Sequence, residues 1–230
     1  MDGNVVDIGF DRIEDALRAI AAGGMVVVLD DRNRENEGDL IVAAEFACAR
    51  TMAFMVRHTT GIVCLALPGE RLDALDLPAM VPAGNDRHQT AFTVSVDCRH
   101  GTSTGVSASD RAKTVAALID PKTRPDDLTR PGHMFPLRAK PGGVLERRGH
   151  TEAAIDLARL AGCRPAGVLC EIINDDGSMA RTPELLRFAR SHELPIVTIA
   201  DLVHFIEHGR DRRLTGMAAA QFALSRSQAS

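Results

Sequence analysis

Two apolar runs of strand length, Met25 to Leu29 and Leu40 to Ala44, bracket the ten residues Asp30 to Asp39 and commit this part of the chain to a sheet. Runs this short, bounded by charge, read as strands joined by a loop rather than as a helix. The loop sets five carboxylates (Asp30, Asp31, Glu35, Glu37 and Asp39) against two arginines (Arg32 and Arg34). Without a partner such acids repel one another and raise one another's pKa values. A hard cation relieves the repulsion. Oxygen-rich loops suit Mg²⁺ or Mn²⁺, and Mg²⁺ takes one or two carboxylates while keeping positions for water and a phosphorylated substrate. A solvated charged turn is the other reading of the same residues.

The chain has 230 residues, 45% of them apolar, enough for a sizeable core in one large domain or two small ones. No internal repeat and no linker divides it, so residues 1–209 read as one domain and 210–230 as a C-terminal tail without a site signature. No stretch approaches the length of a membrane span, and Met1 to Phe10 lacks the basic start and apolar core of a secretory signal. The expectation is a protein that begins near Met1 and stays in the cytoplasm, with no membrane partner. Five cysteines (Cys48, Cys64, Cys98, Cys163 and Cys170) without a Cys-x-x-Cys pair argue against a disulfide framework and a zinc knuckle. The net charge of -4, scattered basic residues and absence of Trp and Tyr exclude nucleic acid as the expected partner. A small anionic metabolite needs only a local basic pocket.

Helical spacing of Ile13, Leu17 and Ile20 predicts a helix over Asp11 to Ala22, stopped by Gly23-Gly24. Further on, Thr51 to His58 reads as a helix, Ile62 to Leu67 as a strand, Pro68 to Gln89 as a connection with room for a short helix, and Thr90 to Val96 as a strand. Gly101 to Ser109 is a Gly/Ser/Thr loop opening into the helix Asp110 to Ile119, a geometry that favours anions. The Arg147-Arg148-Gly149-His150-Thr151-Glu152 turn precedes a strong helix, with Thr151 suited to cap it and the arginines beside its positive end. Val168 to Ile173 is an apolar strand interrupted by Glu171. Thr182 to His192 is helical, Ile196 to Ile199 a last strand, and Asp201 to His208 a last helix.

Chemistry concentrates in the acidic loop, the Gly101 to Ser109 loop, His133, and the Arg147 to Thr151 turn with Glu171. A carboxylate within an apolar strand costs several kcal/mol, on the order of 2–7 for a polar group, unless paired; Glu171 is either such a group or one that faces solvent. His133, after Pro131-Gly132, is either a working imidazole or a satisfied core histidine. His150 is the better ligand candidate because the turn fixes its direction. Arg147 is a surface charge or, beside a helix N-terminus, a phosphate contact. His204-Phe205-Ile206-Glu207-His208 matches the His-x-x-Glu-His pattern of inverted zinc peptidases. Only Asp211 follows as a carboxylate ligand, and histidines at a helix C-terminus also interact with its dipole.

Five runs together carry a resemblance: Asp30-Asp31 with Arg34 to Asp39; Thr90 to Asp97; Thr104 to Ala108 with Asp110-Arg111-Ala112; Arg130-Pro131-Gly132-His133; and Gly149-His150-Thr151-Glu152. In this order, over Phe10 to His208, the chain resembles the 3,4-dihydroxy-2-butanone 4-phosphate synthase family, in the form without a GTP cyclohydrolase II domain. The resemblance implies an α+β fold, a single domain with a mixed twisted β-sheet flanked by helices as a three-layer α/β/α-like sandwich. It also implies a cytoplasmic, homodimeric lyase of riboflavin biosynthesis, dependent on Mg²⁺ or Mn²⁺, that turns D-ribulose 5-phosphate into L-3,4-dihydroxy-2-butanone 4-phosphate and formate. Carried over by motif, Glu35 and His150 hold the metal. Arg34, Glu35, Asp39, Arg147, Thr151 and Glu171 contact the substrate, and His133 and Glu171 transfer protons. Donors from the Gly101 to Ser109 loop, Thr104 and Ser107 among them, are expected around the phosphate.

Overall fold

The structure, a computed structural model, describes residues 9–82, 84–85 and 87–209. The tail expected at 210–230, and with it Asp211, lies outside the described residues. Seven strands form one sheet: β1 (Val26–Leu29), β2 (Gly38–Ala43), β3 (Cys64–Leu67), β4 (Val96–Cys98), β5 (Leu128–Arg138), β6 (Gly167–Glu171) and β7 (Ile196–Thr198). Their order is β4-β5-β3-β6-β2-β1-β7. β1 with β7 and β3 with β5 are parallel pairs, whereas β1 with β2, β2 with β6, β3 with β6 and β4 with β5 are antiparallel, so the sheet is mixed.

Helices cover both faces: α1 (Ile13–Ala21), α2 (Ala49–His58), α3 (Gly69–Ala74), α4 (Ala108–Ile119), α5 (His150–Leu160), α6 (Thr182–Ser191), and residues 199–209. The strands alternate sides, and each side has its own core. Leu40, Val42, Val168 and Cys170 pack with Met52 and Met55 of α2, Val115 and Leu118 of α4, and Leu185 of α6. Val28, Ile41 and Leu169 face the other way, toward Ile13, Ala16 and Ile20 of α1, Ala154 and Leu157 of α5, and Leu202. Burial on both faces is why the strands read as continuous apolar runs. The three-layer mixed-sheet α+β expectation holds.

Two expectations change. β2 begins at Gly38, so Asp39 is a strand residue rather than part of the loop. A Cβ at Gly38 would stand 2.5 Å from Leu185 Cδ1, so glycine is what allows α6 to close over the start of this strand. Thr90 to Val96 is not a strand; only Val96–Cys98 is. Thr93 N–H donates to Pro136 and Val94 N–H to Pro78, dividing the segment between two neighbours. Pro136 has no N–H to return, and the ladder stops at isolated bridges.

Candidate active site

One row across the sheet builds the site. Val28 pairs with Asp39, and Asp39 pairs with Glu171, so these positions of β1, β2 and β6 share a face, the one covered by α5. Glu171 therefore points into a cleft rather than to bulk solvent, and Thr60 Oγ1 donates to its Oε2 at 2.9 Å. The first residue of α5, His150, is 5% exposed and lies over this row. Its Nε2–H donates to the Val28 carbonyl at 3.1 Å, which turns Nδ1 toward the acids. Nδ1 lies 3.6 Å from Asp39 Oδ1 and 3.7 Å from Glu35 Oε2.

The acidic loop is folded around one of its own acids. Asp30 accepts hydrogen bonds from the Glu35 and Glu37 N–H groups at 2.9 Å each and from Arg34 Nη1 at 3.0 Å. From outside the loop, Arg181 Nη1 donates to the carbonyls of Glu35 and Asn36. These bonds aim Glu35 inward, where Arg34 Nη1 meets its Oε2 at 2.5 Å. The expectation of general repulsion is therefore corrected. Burial pushes the Glu35 carboxyl up, but the His150 hydrogen bond and the charges of Arg34 and His150 outweigh it and bring it down to about 2. Repulsion survives deeper in. Burial, with Glu171, Glu35 and Glu37 beside it, pushes Asp39 up to about 7 against the pull of His150. Burial and the nearby Glu35 and Glu171 also raise Glu37.

Arg147 is anchored by its Nη1, which donates to Oε2 of the fully buried Glu152 at 2.7 Å, while Nη2 donates to the His88 carbonyl at 2.9 Å. Thr151 does not cap α5. The cap position is Gly149 and no side chain fills it, because the helix starts one residue earlier to bury His150; Thr151 instead lines the cleft. Arg34, Glu35, Asp39, Arg147, His150, Thr151 and Glu171 thus surround one cavity of about 50 Å³, floored by Cys64, Phe92, Leu137 and Leu169.

A divalent cation fits this donor set. Ligand atoms of Asp30, Glu35 and His150 lie within 4.8 Å of one another, the one such group of three among the described residues. Asp30 already accepts three hydrogen bonds, which leaves Glu35 and His150 Nδ1 as the open ligands. Asp39 Oδ1 is buried without a hydrogen-bond partner, which costs about 1–3 kcal/mol unless a donor or cation arrives. In the metal-free site, burial lowers the His150 imidazole, but the charges of Asp39, Glu35 and Asp30 outweigh it and raise it to about 9.

The stability of the metal-free chain should follow from these shifts. A raised His150 contributes stability that is complete below its ordinary value near 6.5 and lost as pH rises through about 9. Asp39, raised from 3.8, acts in the same direction and loses its contribution as pH rises through about 7. Chelated protein should therefore melt at a lower temperature at pH 9.5 than at pH 6.5, and Mg²⁺ should restore more at the higher pH. A melting temperature that rises with pH in the absence of metal would contradict these charge assignments. Glu35→Gln removes a carboxylate held down by His150 and Arg34, so it should lower the metal-free melting temperature by a few degrees, about 1–2 kcal/mol.

Comparison with known proteins decides the family. Residues 14–205 match the family model of 3,4-dihydroxy-2-butanone 4-phosphate synthase. The chain belongs to that family. The synthase of Agrobacterium fabrum is 58% identical over 196 residues, covering 85% of this chain and 92% of that protein. Riboflavin biosynthesis protein RibBA of a Synechocystis species is 59% identical over 204 residues, covering 87% of this chain and 37% of the longer relative. A solved 3,4-dihydroxy-2-butanone 4-phosphate synthase in complex with two magnesium ions superposes with a TM-score of 0.83 at 48% identity, covering 86% of this chain and 98% of that one.

Within this synthase fold, His133 is not among the residues lining the cavity. It lies on β5, four positions before the lining residue Leu137, which is roughly 13 Å along a strand. The Gly101 to Ser109 loop is also not among the residues lining this cavity, and part of it is tied to Asp110. Ser103 Oγ and the Gly105 N–H donate to Asp110, and Ser107 Oγ accepts from the Asp110 N–H. Asp110 thus takes the Ser103 and Gly105 donors of this loop. His204 and His208 stack with ring centroids 3.8 Å apart, and no third ligand joins them among the described residues. Sequence reasoning missed the roles of Asp30, Glu152 and Arg181. Only the position of Glu152, at the end of the Gly-His-Thr-Glu run, gave any signal.

Proposed function

We propose that the chain is the riboflavin-biosynthesis lyase that converts D-ribulose 5-phosphate into L-3,4-dihydroxy-2-butanone 4-phosphate and formate, as a cytoplasmic homodimer using Mg²⁺ or Mn²⁺. The observation that carries this reading is the buried Asp39 Oδ1, which has no hydrogen-bond partner and faces His150 Nδ1 beside Glu35. The solved relative with two magnesium ions supports the same class of ion here. Consistent with the proposed location, no described helix is long and apolar enough to cross a membrane.

Glu35 and His150 would hold the cation, which supplies Lewis-acid stabilisation for negative charge on adjacent sugar oxygens. Arg34 and Arg147, near the N-terminus of α5, bind the phosphate, with Thr151 as a further donor. Asp39 takes a hydroxyl proton of the sugar through its unpaired oxygen. Removal of a proton next to the ketone gives an enediolate; the C1 hydroxyl then leaves, the skeleton rearranges and C4 departs as formate. Glu171 and His133 move the protons of these steps. The two products together contain the atoms of the substrate, so no oxidant or reductant enters.

The inner part of the site, about 50 Å³, has room for an ion and a few waters. The sugar lies across its open side, where a second copy would supply His133. Substrate labelled with ¹³C at C4 should yield labelled formate in the presence of Mg²⁺, read by ¹³C NMR. Label retained in the four-carbon product, or no turnover at all, would overturn the assignment.

A further inference from the structure

We propose that Asp97 is the positioning residue of His133, holding the imidazole with its proton on Nδ1 and its Nε2 turned outward. This rests on the reading of His133 as a proton-transfer group. Asp97 makes two bonds to the same residue: Oδ1 accepts the His133 backbone N–H at 2.9 Å, and Oδ2 lies 2.7 Å from ring Nδ1. A carboxylate only accepts, so Nδ1 carries the proton and Nε2 presents the lone pair. The His133 side chain is 44% exposed and that of Asp97 10%, so the pair is rooted in the fold and open at the working end.

Two glycines create the space for it. A Cβ on Gly105, whose φ is +83°, would stand 2.0 Å from Asp97 Oδ2, and one on Gly132 would stand 2.0 Å from the Val96 carbonyl carbon. Without a side chain at either position, the loop and β5 approach Asp97 closely, one beside its carboxylate and the other beside its backbone. Both glycines lie in runs that carry the family resemblance, and this contact gives them a common physical purpose.

The backbone bond makes the consequence of one substitution definite. In Asp97→Asn the amide oxygen must stay on the fixed His133 N–H, which turns the amide NH₂ toward ring Nδ1. That nitrogen must then accept, and the ring proton moves to Nε2. The same logic in a serine-protease triad costs about 10⁴-fold in turnover. Here Asp97→Asn should lower kcat at least about 10²-fold with KM changed by less than about threefold. In a His133→Asn background it should cost nothing further.

Heteronuclear ¹⁵N NMR of the neutral imidazole tests the claim without an activity readout. Wild-type enzyme should show a protonated Nδ1 and a bare Nε2 at His133, reversed in Asp97→Asn. A wild-type ring protonated on Nε2 overturns the inference even if the variant does not fold, and so does a further loss of activity on adding Asp97→Asn to His133→Asn. Full turnover in His133→Asn overturns instead the catalytic reading of His133, whatever the spectrum shows.

Discussion

Exhaustive chelation should abolish formate release from ribulose 5-phosphate, and Mg²⁺ or Mn²⁺ should restore it. The size of the effect follows from the site: with the ion removed, the enediolate charge would develop beside Glu171 and beside Asp39 and Glu37, two acids already raised by burial and neighbouring carboxylates. A preorganised positive charge there accounts for several kcal/mol of barrier, and loss of even about 4 kcal/mol is roughly 10³-fold in rate. His150→Ala removes the only nitrogen ligand proposed and should reproduce the loss at ordinary Mg²⁺ concentrations. Metal affinity should also fall with pH below about 9, because each ion must displace the proton that Asp39 and Glu35 hold on His150. Full activity after chelation, or the same metal affinity in His150→Ala as in wild type, would contradict this.

Mixing two inactive variants should restore activity. His133→Asn and Glu171→Gln should each lower turnover by about 10²-fold or more. Because His133 lies about four strand positions from the cavity that holds Glu171, a C₂ homodimer would build each site from the Glu171 of one copy and the His133 of the other. Random exchange of subunits between equal amounts of the two variants then leaves about a quarter of all sites wild-type, and activity should rise to about a quarter of the wild-type rate. No gain on mixing, with exchange verified by mass spectrometry, would place His133 in its own copy's site or outside catalysis. Sedimentation as a monomer at micromolar concentration would remove the dimer itself.

Local pattern carried much of this architecture into the sequence. The apolar runs of β1, β2 and β6 and the periodicity of α1, α5 and α6 report burial, and burial decides these elements. Thr90 to Val96 misled because its alternation is local while its hydrogen bonds are shared between Pro78 and Pro136, neighbours that no short-range pattern reveals. Asp39 looked like a fifth loop acid; only pairing with Glu171 across the sheet shows that it is a buried strand residue. The seven residues of the main cleft were legible through their motifs. Asp30 was not, since a carboxylate that accepts three bonds to shape a loop has the same letter as one that binds an ion. His133 and its Asp97 partner stand apart from that cleft, on the stretch of β5 that pairs with β4.

Anomalous scattering from a crystal of the enzyme soaked in Mn²⁺ and D-ribulose 5-phosphate is the most direct test of the metal site. A Mn²⁺ peak is expected about 2.0–2.3 Å from a Glu35 carboxylate oxygen and from His150 Nδ1, with His150 Nε2 still donating to Val28 and a sugar hydroxyl on Asp39 Oδ1. A peak elsewhere, or an ordered sugar phosphate in this cleft with no metal between Glu35 and His150, would contradict it.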